Sequence, residues 1–72
     1  MNEHTQDVLG WLKTERGAFS LAQITTLPLK PIADFVRTSA VRAKEGPLHG
    51  VAFESVDWMA VVVEARKVPG AG

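Results

Sequence analysis

The sequence predicts a small α+β domain, three helices followed by a C-terminal β-hairpin, on three observations. Apolar residues recur at helical spacing in two long runs, 5–16 and 31–44, and over the shorter run 21–25. Pro28 and Pro31 divide the middle of the chain, because neither fits inside one continuous helix. The last third changes character: apolar and polar residues alternate through Val51, Phe53 and Ser55, and 59–66 is rich in β-branched valine.

The first helix is expected over 5–16. Thr5 or Asn2 is placed to cap it, and Asp7 suits the positive end of the helix dipole. Val8, Trp11 and Leu12 form its apolar stripe, with Leu9 beside them. Gly10 weakens this helix by up to about 1 kcal/mol relative to alanine, and Gly17 is positioned as its C-terminal stop. Ala18-Phe19-Ser20 reads as a brief extended piece. Ser20 then caps residues 21–25, with Gln23 three positions later completing a capping-box pattern. Leu21, Ile24 and Leu27 are expected to face inward.

Proline disfavours helical geometry in the residue before it, so Leu27 and Lys30 are expected to be extended and the turn to lie at Leu27–Lys30. Pro31 opens the next helix, where its missing N–H is not needed. Over 31–44, Ile32, Phe35, Val36, Ser39 and Ala43 share one face; Asp34, Arg37, Thr38, Val41 and Lys44 share the other. Gly46-Pro47 ends the run. The hairpin is assigned to 48–54 and 59–66, although its connection, Ser55-Val56-Asp57, lacks an Asn-Gly or Asp-Gly signal. The alternative is a fourth helix, capped by Ser55 and ending at Lys67, which makes the domain all-α with four helices. Against it, Val56, Trp58, Met59, Val61, Val62 and Val63 point in nearly every direction around a helix. Residues 1–68 form one domain and 69–72 a flexible tail.

A chain of 72 residues makes one small domain. A domain of that size buries only about 60% of the surface its unfolded chain exposes. The absence of cysteine suits a reducing compartment. No apolar run approaches the roughly 18 residues of a membrane span, and the MNEHTQDVLG start lacks a secretory pattern. The expected location is therefore the cytoplasm. Eight Lys and Arg balance eight Asp and Glu, a net charge of zero. Most free-standing DNA-binding domains are more basic, because phosphate contacts supply much of their affinity. The charge is uneven, however. Lys30, Arg37, Arg42 and Lys44 against Asp34 give 30–44 a net of +3, while Glu54, Asp57 and Glu64 give 46–65 a net of −3.

The order of elements, with LAQI, then LPL, then IADFVR, resembles a winged helix-turn-helix domain of the small transcription-regulator type over about residues 5–66. The resemblance implies that the helix 31–44 enters the DNA major groove and that the wing touches the backbone or minor groove. Carried over by position, Lys30, Arg37, Thr38, Val41 and Lys44 face the groove, and Arg37 pairs with guanine or phosphate. A dimer would bind DNA through Lys30, Arg37, Arg42 and Lys44. Three features oppose this: Asp34 lies on the outward face, Val41 is apolar near its centre, and Glu54 and Asp57 make the wing acidic. The alternative function is a protein-binding module that modulates the transcription machinery, by analogy a phage-type inhibitor of RNA polymerase or another host enzyme. Val41 and Trp58 would then carry the contact, and a homodimer is compatible with the apolar run 59–63.

Other chemistry is not indicated. His4 and His49 have no cysteine near them, no glycine-rich phosphate loop is present, and Ser20, Ser39 and Ser55 read as caps or small core residues. No enzyme activity and no cofactor are expected. Trp11 belongs to the core by its spacing from Val8 and Leu12; Trp58 either covers the core or stands at an interface.

Overall fold

A computed structural model describes all 72 residues, and the α+β expectation is overturned: the chain is all-helical, with no strand. Helix α1 spans Glu3–Leu12, α2 Ala18–Ala22, α3 Leu29–Ala43 and α4 Trp58–Ala65, with 3-10 turns at Gly46–Leu48 and Phe53–Ser55.

Asn2 caps α1, its Oδ1 accepting the Thr5 N–H at 2.8 Å. The helix ends at Leu12, short of the expected boundary at 16. Gly17 is not its stop. A Cβ at Gly17 would lie 2.2 Å from the Trp11 carbonyl oxygen and 2.7 Å from the Leu12 Cα. Only glycine lets the chain fold back so closely on the last turn of α1. Residues 18–20, expected to be extended, instead begin α2, with the Leu21 N–H bonded to the Gly17 carbonyl at 3.0 Å. Ser20 is consequently buried within α2 and does not cap it.

Helix α3 starts two residues before the expected position, with Pro28 as its N-cap. Pro31 is its third residue, and none of the first three N–H groups of a helix has an internal acceptor. The first internal bond runs from the Ile32 N–H to the Pro28 carbonyl at 3.1 Å. Proline therefore fits without loss, and Lys30 is helical, not extended; Leu27, expected to face inward, is exposed, because it lies in the turn before α3. The C-terminal end closes through Lys44, which takes a left-handed conformation (φ 43°) while its N–H reaches the Ala40 carbonyl.

Helix α4 stands where the second hairpin strand was expected. Asp57, not Ser55, caps it, its carboxylate accepting the Ala60 N–H at 3.1 Å. A strand needs a ladder partner for its backbone, and the residues assigned to that partner are occupied. Within 46–56, the N–H groups of Leu48, His49, Val51, Ser55 and Val56 bond to carbonyls three residues back. A helix satisfies its backbone internally and needs no neighbour for it. The valine run then splits: Val61, Val62 and Ala65 are buried, while Met59 and Val63 remain 41% and 44% exposed. The sequence argument against a helix described this arrangement correctly, but the fold tolerates the exposure.

The winged helix-turn-helix architecture loses its wing with the hairpin. Six residues, 23–28, also separate the five-residue α2 from α3, whereas helix-turn-helix pairs are joined by a turn of about 3–4 residues. The all-α alternative is the one that fits.

The core draws Val8, Trp11 and Leu12 from α1, Ile32, Ala33, Val36 and Ala40 from α3, and Val61, Val62 and Ala65 from α4. Leu21, Ile24, Leu48 and Val56 close it from the connections. Helices α3 and α4 share the most extensive contact. Three of their seven buried residues are alanines, whose short side chains permit close approach. Arg66, just beyond α4, holds the turn before α3, donating to the carbonyls of Ile24 at 3.4 Å and Leu27 at 3.2 Å. Residues 69–72, expected as a flexible tail, run alongside the end of α2: the Thr25 N–H donates to the Gly72 carbonyl at 3.1 Å, and Ala71 packs against the core. No helix is long and apolar enough to cross a membrane.

Helical and strand registers at 61–63 make opposite mutational patterns. Val61→Ala and Val62→Ala should each cost about 1–3 kcal/mol in urea unfolding, and Val63→Ala less than about 0.5 kcal/mol. A strand would pair the costs of 61 and 63.

Candidate functional site

The outward face of α3 meets the segment 53–58 along a groove of about 530 Å³. Asp34, Arg37, Val41 and Lys44 line it from α3, following the three-and-four spacing that puts them on one helix face. Phe53, Glu54, Val56 and Trp58 line it from the other side. A second concavity of about 390 Å³ adjoins it on α3, lined by Arg37, Thr38, Val41 and Arg42. Arg37 and Val41 belong to both.

The far wall is built by side chains at the start of α1. The Asn2 Nδ2 donates to the Ser55 carbonyl at 2.7 Å, the His4 Nδ1 accepts the Ala52 N–H at 3.2 Å, and the Thr5 Oγ1 accepts the Asp57 N–H at 2.9 Å. Thr5 is fully buried, so that last bond is shielded from water. These three bonds hold 52–57 against α1 and aim Phe53 and Trp58 at α3. The two rings stack, with centroids 6.2 Å apart and planes inclined by 15°. Both are half-buried, and Val56 behind them is buried.

The charges at the groove are uncommitted. The molecule contains two ion pairs, Arg16–Glu45 at 3.3 Å and Lys67–Glu64 at 3.0 Å, and neither involves α3. Lys30, Arg37, Arg42 and Lys44 are exposed and make no ion pair or side-chain hydrogen bond, and the Asp34 and Glu54 carboxylates are likewise free. The first groove balances two cations against two carboxylates. The second holds two arginines and no carboxylate.

Of the residues singled out from the sequence, Arg37, Val41, Lys44 and Trp58 come together in the first groove, and Thr38 and Arg42 join Arg37 and Val41 in the second. Lys30 lines neither; it sits in the first turn of α3. Phe53 was missed as a site residue because it was assigned to a strand. Asn2, His4 and Thr5 were missed as its supports because they lie about 50 positions away in the chain. His49 is exposed. One polar atom inside the core has no partner: the indole N–H of Trp11, a residue 2% exposed.

No protein-family model matches this chain, and no curated protein or solved structure matches it either. The residues themselves are therefore the ground for any functional reading.

Thr5→Val keeps the shape of the side chain but leaves the Asp57 N–H without its acceptor. It should lower stability by about 1–3 kcal/mol in urea unfolding and alter the fluorescence of Trp58, whose preceding residue loses its tether.

Proposed function

We propose that this chain is a protein-interaction module whose docking surface is the outward face of α3 together with Phe53 and Trp58. One observation carries the reading: a stacked aromatic pair and an apolar Val41 lie in the same groove as uncommitted charges of both signs. Tryptophan and arginine are enriched where proteins bind one another, usually around a central apolar contact with a charged rim. Val41 is 36% exposed at the middle of a face otherwise made of charged and polar side chains. A partner covering it removes that apolar surface from water, which is favourable by about 25 cal/mol per Å².

A second reading, a DNA-binding regulator using α3, draws support from the same four free cations, Lys30, Arg37, Arg42 and Lys44. It is the weaker one. Asp34 and Glu54 stand beside Arg37 and Lys44 in the groove, and each would repel a phosphate placed there. The chain's net charge is zero, so it lacks the overall positive charge that most free-standing DNA-binding domains carry.

The two readings separate in solution. Wild type and Val41→Glu are used as bait in the source-cell lysate, and a protein retained only by wild type is purified and titrated against both. Interaction through α3 predicts that Val41→Glu weakens this binding at least about tenfold, the effect of about 1.4 kcal/mol, with no change in unfolding midpoint. Tight binding to a random duplex at about 50 mM salt, falling steeply as salt rises, would instead establish the DNA reading.

A further inference from the structure

We infer that the partner segment is an acidic amphipathic helix, which lays an apolar side chain on Val41 and Trp58 and its carboxylates on Arg37 and Arg42. The inference rests on the protein-interaction reading and specifies the chemistry of the occupant.

The free charges point to the sign of the partner. Glu45 and Glu64 are held in ion pairs, and the Asp57 carboxylate is engaged in capping α4. Arg16 and Lys67 are likewise paired, and Arg66 is spent on two carbonyls. Among the lysines and arginines this leaves Lys13 on α1's C-cap and the four of α3. Five carboxylates are equally uncommitted, but Glu3, Asp7 and Glu15 lie on or just beyond α1 and Glu54 lies on the far wall of the first groove, so Asp34 is the one that α3 carries against its four cations. The surplus of cations is therefore local to α3, and an incoming acidic segment meets it without breaking an ion pair.

Geometry points to where each part of the segment goes. The two concavities share Arg37 and Val41, so one occupant spans both. The first presents the Phe53–Trp58 stack and has as many carboxylates as cations; it suits an apolar side chain more than a charge. The second has Arg37 and Arg42 with Thr38 between them and no carboxylate; two guanidiniums there offer fork-shaped donors to acidic side chains. The distance along α3 from Asp34 to Lys44 is about 15 Å at 1.5 Å per residue. That is the length of nearly three helical turns, enough for an amphipathic helix to place apolar residues on one stripe and carboxylates beside it.

The test is selection from a displayed library of random peptides of about 16 residues, some four helical turns, on the immobilised full chain at about 50 mM salt. The expected outcome is enrichment of acidic sequences carrying aliphatic or aromatic residues at helical spacing. A synthetic peptide of the enriched sequence should then quench or shift the tryptophan emission. It should bind Arg37→Glu at least about tenfold more weakly, yet bind Lys13→Glu, which makes the same charge change on α1, within about twofold. Enrichment of basic or uncharged peptides that still lose binding to Val41→Glu would overturn the acidic partner while leaving the interaction surface standing. Peptides indifferent to Val41→Glu, or no enrichment at all, would remove both. Binding of a random duplex of about 24 base pairs more tightly than any selected peptide would also overturn the proposal, in favour of nucleic acid.

Discussion

Three side chains at the beginning of the chain decide what its last third becomes. Asn2, His4 and Thr5 take up the backbone of Ser55, Ala52 and Asp57. Ala52 lies in the expected first strand, and Ser55 and Asp57 lie in the connection expected to follow it. Asn2 works in two directions, since its carbonyl oxygen caps α1 while its amide reaches Ser55. The first turn of α1 and the loop before α4 are thus joined as one unit. With Asp57 fixed by Thr5 through its N–H, its carboxylate is left to start α4. The 3-10 turn, the aromatic stack and the direction of α4 all follow from this seam.

A domain of this size has little stability to spare, of order 0.05–0.15 kcal/mol per residue, and its construction reflects that. Most of its buried residues are of modest volume: valines and alanines on α3 and α4, with Leu12, Ile24, Ile32 and Leu48 the largest of the fully buried side chains. Connections do part of the work that a larger core would do elsewhere. Gly17 lets the chain turn tightly over Trp11, and Arg66 ties the end of α4 to the turn before α3. Against this economy, the exposed Phe19, Leu27, Val41, Met59 and Val63 are conspicuous. Of these only Val41 sits beside a stacked aromatic pair and uncommitted charge, and this sets the α3 groove apart from the bare flank of α4.

The parts of the site on α3 were legible in advance because they depend on a single periodicity. Asp34, Arg37, Thr38, Val41 and Lys44 fall on one face of any helix through 31–44, whatever packs on the other. The parts outside α3 were not. Phe53 and Trp58 form a stacked pair only because α1 pulls 52–57 out of an extended path, and the bonds responsible join residues about 50 apart. No local pattern encodes such a contact. The boundaries of α3 erred for a more local reason: proline was assigned to the first position of the helix, although the third is equally free of an N–H requirement.

By itself the sequence determined that the chain breaks near Pro28, that a long amphipathic helix follows, and which side of that helix carries its charge, since each of these depends on near neighbours along the chain. Whether 58–65 became strand or helix lay beyond it. The segment has the β-branched composition of a strand, but the stretch that would have paired with it is closed into 3-10 turns and held at Ala52 by His4, 48 positions away, so 58–65 satisfies its backbone internally as a helix. That tether joins the two ends of the chain, and only the folded arrangement brings its partners within hydrogen-bonding reach.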